Sequence, residues 1–391
     1  MTIIEQTKNV FRRHPLLSVL LLFVLSIGFR LPFVLWEPGA NLCLDTIELV
    51  DKSNAPYLEN SESQLGQPPM AFWLYDLLAN NSEGRLQDRA LWGLNLFLHA
   101  LSAFLVYLTT TLLCLRKGLG HTYVPAIVAT SVYLFLPSTL WFQGVIYGPE
   151  TLAQVFFMGS VYASLKLWMR KKFVSLKYLF WYSILLLCFT LTSWFGFVFG
   201  LVVAIYSFYR WQRDRYYAHF VGVTMLTLLV SILLLVQGKY YQHGGIGFFD
   251  FMMQKLSQHN SLNRQAYLLG IPNNLGASLV NYIILLAPII PLACTLGYFV
   301  VRNRGMKFVF TRNGLRFFGL AAWPIITLHG LLLSYSSQGF TSLYMAYFLS
   351  VLVGIFYHKL HNIKLLPLSI SLLLLLLCLG ISLGILQTLY V

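Results

Sequence analysis

From residue 15 to the C-terminus, apolar runs long enough to fill a lipid bilayer follow one another, and the breaks between them carry the basic residues. A bilayer core takes about 20 apolar residues of helix, and every backbone group facing lipid must be bonded within its own segment. A chain written this way is expected to fold as a bundle of apolar helices. Its composition agrees, at 58% hydrophobic and 10% charged, where soluble domains carry roughly 25% charged residues. No soluble-like block exceeds about fifty residues, the low end for an independent domain. Residues 1–391 are therefore expected to form a single all-α, polytopic membrane domain without a separate soluble domain.

The first apolar run is followed by Arg30-Leu31-Pro32 and by no small-residue cleavage site, so it is expected to stay as a membrane span. Lysine and arginine then set the orientation, because loops rich in them remain cytoplasmic. Spans at 15–36, 90–115, 122–141, 151–168, 178–191, 195–209, 218–236, 278–301, 316–334, 341–357 and 365–389 put every basic cluster on one side. About eleven transmembrane helices result, with the N-terminus cytoplasmic and the C-terminus outside. Two short helices meeting at Thr192-Ser193-Trp194-Phe195-Gly196 are needed in this scheme, since one long helix would split the flanking basic clusters between compartments. The net charge of +14 is accounted for by inner-leaflet contacts and calls for no nucleic acid.

Negative charge is distributed quite differently. Of 13 acidic residues, Glu37, Asp45, Glu48, Asp51, Glu59, Glu62, Asp76, Glu83 and Asp88 all lie in the first outer loop, 37–89. Carboxylates on the outer face can bind cations, line a translocation path, or take a proton from an attacking hydroxyl. The predicted spans contain almost no acids, which disfavours an ion-coupled carrier. No phosphate-cradling glycine loop of the P-loop or Rossmann kind is present, which disfavours nucleotide-driven chemistry. A base at the lip, cations beside it and apolar surface below suit group transfer from a donor whose lipid tail lies in the bilayer, with Arg89 the best-placed cation for its phosphate.

The other outer segments are less charged. The second outer loop, 143–150, ends on Pro149-Glu150, placed as the first turn of the fourth span, where a carboxylate meets the helix dipole favourably. The large outer loop, 237–277, mixes aromatics and methionines with Asp250, Lys255 and His259, and reads as an interfacial helix on the outer leaflet. The last outer turn, from Tyr335 to Tyr344, is polar and aromatic and long enough to line a shared groove. Cysteine spacing gives neither a disulfide framework nor a metal site. Glu150, His243 and His259 are weak candidate metal ligands; no cofactor is required, and a divalent metal is left open. His99 and His329 lie within spans, where a buried polar group finds a packing partner, and are not expected as ligands.

Four local patterns bear a family resemblance. The first span ends in Arg30-Leu31-Pro32 with Leu44-Asp45 following, and Gln67-Pro68-Pro69-Met70-Ala71-Phe72-Trp73-Leu74 leads to an aromatic pair. Asp88-Arg89-Ala90-Leu91-Trp92-Gly93 opens the second span, and Leu191-Thr192-Ser193-Trp194-Phe195-Gly196 joins the two short helices. In this order they resemble the polytopic GT-C-fold glycosyltransferases that use lipid-phosphate sugar donors, in particular the protein O-mannosyltransferases and the aminoarabinose transferases acting on lipid A. Thr46, Gln67 and Ser193 stand where that family often has an acid, a lysine and a lysine.

The resemblance implies an inverting transfer from a polyprenyl phosphate, of the undecaprenyl or dolichyl type, to a protein, glycan or lipid acceptor at the extracytoplasmic face. In a bacterium that face is the periplasmic side of the plasma membrane. Asp45 would be the catalytic base, Glu150 the second acid and Arg89 a phosphate contact. Gln67, Glu48, Lys239, His243, Arg264 and Tyr344 complete the expected substrate-binding set. The competing readings are a lipid or lipid-linked-sugar flippase and an inactive scaffold subunit of a glycosylation complex.

Overall fold

Residues 15–35, 70–71, 74, 77, 85–114, 123–143, 149–169, 176–212, 215–243, 275–276, 278–304, 312–331, 341–361, 377 and 380–385 are described by a computed structural model of the protein. Among these residues the secondary structure is helical and no strand occurs. The helices with defined bounds are α1 (Pro15–Leu35), α2 (Arg85–Cys114), α3 (Tyr123–Leu134), α4 (Pro137–Phe142), α5 (Pro149–Met169) and α6 (Leu176–Thr190). They continue with α7 (Trp194–Trp211), α8 (Tyr216–His243), α9 (Ser278–Leu285), α10 (Ile289–Arg304), α11 (Arg312–Leu331) and α12 (Ser342–His361).

Four stretches are long and apolar enough to cross a bilayer by themselves: Gly93–Cys114 in α2, Trp194–Trp211 in α7, Tyr217–Gln237 in α8 and Ser342–Leu360 in α12. The pair α9 and α10 qualifies as a fifth when counted together. The chain is an integral membrane protein. The expected count of about eleven spans also takes in helices that are shorter or less apolar than these five, and a last span, 365–389, that lies mostly outside the described residues.

At the centre lies α12, which packs against α2, α3, α4, α5, α10 and α11. Such centrality needs small residues, since helices in lipid associate through close packing and hydroxyl bonds, with no hydrophobic force between them. Gly354 supplies the closest approach. A Cβ there would fall 2.7 Å from Thr110 Cγ2, 2.9 Å from Ala129 Cβ and 2.9 Å from the Pro125 carbonyl. Hydroxyl pairs lock neighbouring helices at several levels: Thr109 with Tyr347 at 3.0 Å, Tyr182 with Thr224 at 3.1 Å, and Thr190 with Ser231 at 2.7 Å. By contrast α8 is peripheral, and Leu226, Leu229 and Leu233 lie on its open face as a lipid-facing side requires.

The helices depart from the expected spans in three places, two of them at prolines. The span expected at 278–301 is broken between α9 and α10 by 78°, where Pro288 has no N–H to continue the ladder. The span expected at 122–141 is likewise split into α3 and α4 at Pro137. Finally, α8 runs on to His243, so Gln237–His243, expected to open the large outer loop, are helical. The short pair anticipated around 192–196 is present, as α6 and α7.

Candidate functional site

Pro137 sets up the site. A proline at this position cannot donate to the Tyr133 carbonyl, and its ring forces the preceding residue out of helix. Leu136 accordingly takes the extended values φ −72°, ψ 144°. The Tyr133 carbonyl left over is satisfied by the Thr139 hydroxyl at 2.5 Å, which also donates to the Leu136 carbonyl at 3.0 Å. The single turn of α4 that follows ends with Gln143 at its C-cap. Seven residues later, Glu150 sits in the first turn of α5.

Gln143 is fully buried, as are His99 and Ser102 on α2, Tyr133 on α3 and Gln154 on α5. These side chains form one hydrogen-bonded network, and its donor directions follow from a single fixed end. The Leu343 carbonyl can only accept, so Gln154 turns its Nε2 toward it, at 2.7 Å. Gln154 Oε1 therefore faces Gln143 and accepts from Gln143 Nε2, which also donates to Ser102 Oγ at 3.2 Å. Gln143 Oε1 is then left as an acceptor for the Tyr133 hydroxyl at 3.1 Å and for His99 Nδ1 at 2.5 Å. The hydrogen on His99 is thus assigned to Nδ1 by the network. Phe23 and Tyr133 flank the imidazole, with ring centroids at 5.8 and 6.1 Å.

One helical turn from Gln154, Glu150 is buried to 9% exposure, at the N-terminal end of α5 where the helix dipole favours a negative charge. Beside it Thr151 donates to Asn95 Oδ1 at 3.5 Å, and Asn95 lies one turn before His99 on α2. Here the first turns of α5 meet α2 at Asn95, ten residues into that helix, and the entry of α12 at Leu343.

A second seat lies at the turn between α6 and α7. Ser193 caps α7, its Oγ accepting from the Phe195 N–H at 3.2 Å. Gly196 allows the turn to close, because a Cβ there would fall 2.6 Å from the Phe189 carbonyl carbon and 2.6 Å from the Thr190 nitrogen. Onto this turn the first loop docks: the Met70 N–H donates to the Leu191 carbonyl at 2.8 Å, and Ala71 is buried. Two of the four sequence patterns, Gln67–Leu74 and Leu191–Gly196, are thereby brought together. Behind the turn, Phe157 packs against Phe189, Phe195, Phe199, Tyr344 and Tyr347.

The sequence-derived site residues are distributed unevenly over this frame. Glu150 stands where expected, in the first turn of its helix. Tyr344, expected along a groove, is wholly enclosed, its ring 4.5 Å from that of Phe195. The positions of Arg89, Lys239 and His243 are helical, on α2 and α8, while their side chains lie outside the described residues. Asp45, Glu48, Gln67, His259 and Arg264 lie outside the described residues.

His99 and His329 have found the packing partners expected of them, Gln143 and the Ile325 carbonyl at 2.7 Å. What sequence reasoning missed is the network itself, Asn95, Gln143 and Gln154 above all. Amides inside otherwise apolar helices were the available signal. No group of three metal-ligating side chains occurs among the described residues.

No family model matches the sequence, and no curated protein matches it either. Solved structures do. The chain is similar to the oligosaccharyltransferase of Archaeoglobus fulgidus in complex with Zn and sulfate, with a TM-score of 0.61 and 12% identity over 95% of this chain and 53% of that one. It is similar as well to the same organism's AglB in complex with an inhibitory peptide and a dolichol-phosphate, with a TM-score of 0.61 and 12% identity, covering 97% and 56% of the two chains. The form tethered to an acceptor peptide containing the NVT sequon gives a TM-score of 0.57 at 13% identity, covering 98% and 55%. The chain spans about half the length of these structures. At such identities the likeness is one of fold, and the fold is the GT-C arrangement that the four sequence patterns resemble.

Proposed function

We propose that this protein is a membrane glycosyltransferase that transfers a sugar from a polyprenyl-phosphate donor to an acceptor hydroxyl at the extracytoplasmic face. The observation that carries this reading is the fold shared over 97% of the chain with a transferase described in complex with a dolichol-phosphate. Glu150, a buried carboxylate in the first turn of α5, gives that end of the helix the polar character such a site needs.

In the reaction, Asp45 takes the proton of the acceptor hydroxyl as its oxygen attacks the anomeric carbon. The bond from that carbon to the phosphate oxygen breaks, its electron pair leaves with the lipid phosphate, and the configuration inverts. Proton transfer of this kind is typically worth about 10²- to 10⁴-fold. Arg89, with Lys239 or Arg264, offsets the charge gathering on the leaving phosphate, a stabilisation of comparable size. Glu48, Gln67 and His243 are assigned to the sugar and acceptor.

The test is incubation of purified protein with polyprenyl-phosphate sugars and an acceptor panel of peptide, glycan and lipid, following release of the lipid phosphate. Release by the wild type and loss in folded Asp45→Asn is the expected result. Wild-type turnover in the Asp45→Asn variant would overturn the assignment of the base, and release by neither protein would overturn the enzyme reading in favour of a carrier or scaffold.

A further inference from the structure

The far end of α5, about 27 Å from Glu150 at 1.5 Å of rise per residue, carries a cluster that the transfer reaction does not use. Trp168, in the last turn of α5, is buried and stacks on Tyr206 of α7 with ring centroids 5.0 Å apart. The Tyr206 hydroxyl accepts from Arg210 Nη2 at 3.0 Å, and that guanidinium lies 5.3 Å from the centre of the same ring. Tyr206 also seats α11 against α7, since a Cβ on Gly319 would lie 3.5 Å from its Cε2. At this end α7 finishes and α11 begins. Residues three or four apart share a helix face. One turn beyond the Tyr206–Gly319 contact, the two facing helices therefore each bring an arginine, Arg210 on α7 and Arg316 on α11.

Arg316 is only 8% exposed, yet it donates to the Asn313 carboxamide at 3.4 Å, as Arg210 donates to a phenol. Neither acceptor carries negative charge. A guanidinium this enclosed is costly unless an anion compensates it. Trp168 Nε1 adds a buried donor without a hydrogen-bond partner. The topology expected from the basic clusters brings Glu5 and Asp214 alone among the acids to this side, both outside the described residues. Beside the two arginines Tyr209, Trp211 and Leu315 are exposed, as side chains at headgroup depth are. We infer that Arg210 and Arg316 bind the phosphate of an anionic glycerophospholipid, whose acyl chains lie along the exposed Ile205 and Phe208 of α7. Arginine takes phosphate oxygens in bidentate pairs, and basic pockets between spans hold lipid head groups by the same contacts. The site is remote from Glu150 and does not depend on the transferase reading.

The test is thermal unfolding of the full chain, delipidated in neutral detergent and titrated with dioleoylphosphatidylglycerol, dioleoylphosphatidylcholine or inorganic phosphate. A ligand held by the folded state raises the melting temperature by mass action. The glycerol lipid is expected to do so for the wild type, and the choline lipid and inorganic phosphate are not. Arg210→Gln and Arg316→Gln should each weaken the response by about tenfold or more in lipid concentration, while Arg302→Gln, an exposed arginine in the last turn of α10, leaves it unchanged. Without lipid, Arg316→Gln should melt no lower than the wild type, because the amide removes an uncompensated charge. Lower melting would mean that the guanidinium already has an anionic partner within the chain, Asp214 among the choices, and the inference falls. It falls as well if the wild type does not respond to the glycerol lipid, or if both variants respond as the wild type does. A loss in Arg302→Gln as large as in Arg316→Gln would trace the response to surface charge at large and overturn the site. An equal response to inorganic phosphate would overturn the lipid as its occupant.

Discussion

The Met70 amide donates to the Leu191 carbonyl at 2.8 Å, pinning the first loop to the turn between two short helices more than a hundred residues away. Loops that carry chemistry work only when a rigid scaffold positions them. Here the scaffold is the α6–α7 turn, backed by the aromatic cluster around Phe157. The loop that holds Asp45 in sequence is therefore tied down at one defined place.

The turn itself depends on Gly196. Alanine there puts its Cβ into backbone atoms of Phe189 and Thr190 that cannot rotate aside. Gly196→Ala is expected to cost about 1–3 kcal/mol, in the range of overpacked cores, and to lower the melting temperature in detergent by several degrees. Gly93→Ala, where nothing lies within 4 Å, serves as the comparison and should be neutral or gain up to about 1 kcal/mol from helix propensity. Equal melting of the two variants would show that the turn is not closed as described.

Gln143 and Gln154 should behave as one unit. Replacing either with leucine leaves a buried partner without its hydrogen bond, at a cost of about 1–3 kcal/mol each. The double variant should cost less than the sum of the two, with a coupling of about 0.5–3 kcal/mol. Chemical or thermal unfolding of the two single variants and the double variant measures this, and strict additivity would mean that the two amides are not bonded to each other.

For Arg89 the expectation concerns the donor. A charge-assisted bond to phosphate contributes about 1.5–3 kcal/mol, so Arg89→Ala should raise the donor KM by roughly tenfold or more, and Arg89→Lys should restore part of it. A variant with unchanged KM for donors carrying different sugars would remove Arg89 from the phosphate contact.

Much of the architecture was legible because a bilayer leaves the backbone few choices. Apolar length, basic clusters and the break near Thr192–Gly196 led to helices close to those observed, and Pro149-Glu150 placed the acid in a first helical turn. The breaks at Pro137 and Pro288 were missed because apolar periodicity continues across both prolines, while the ring removes a donor and displaces its neighbour whatever the hydropathy.

The sequence by itself determined that this chain is a bundle of apolar helices with its acids gathered in one loop, since unsatisfied backbone groups and charges are costly in lipid. Only the tertiary structure decided which polar groups meet. Gln154 and Leu343 are 189 residues apart, and His99 and Gln143 are 44 apart. No local rule pairs them. Each amide is costly to bury alone, so the packing that satisfies all of them at once fixes their partners.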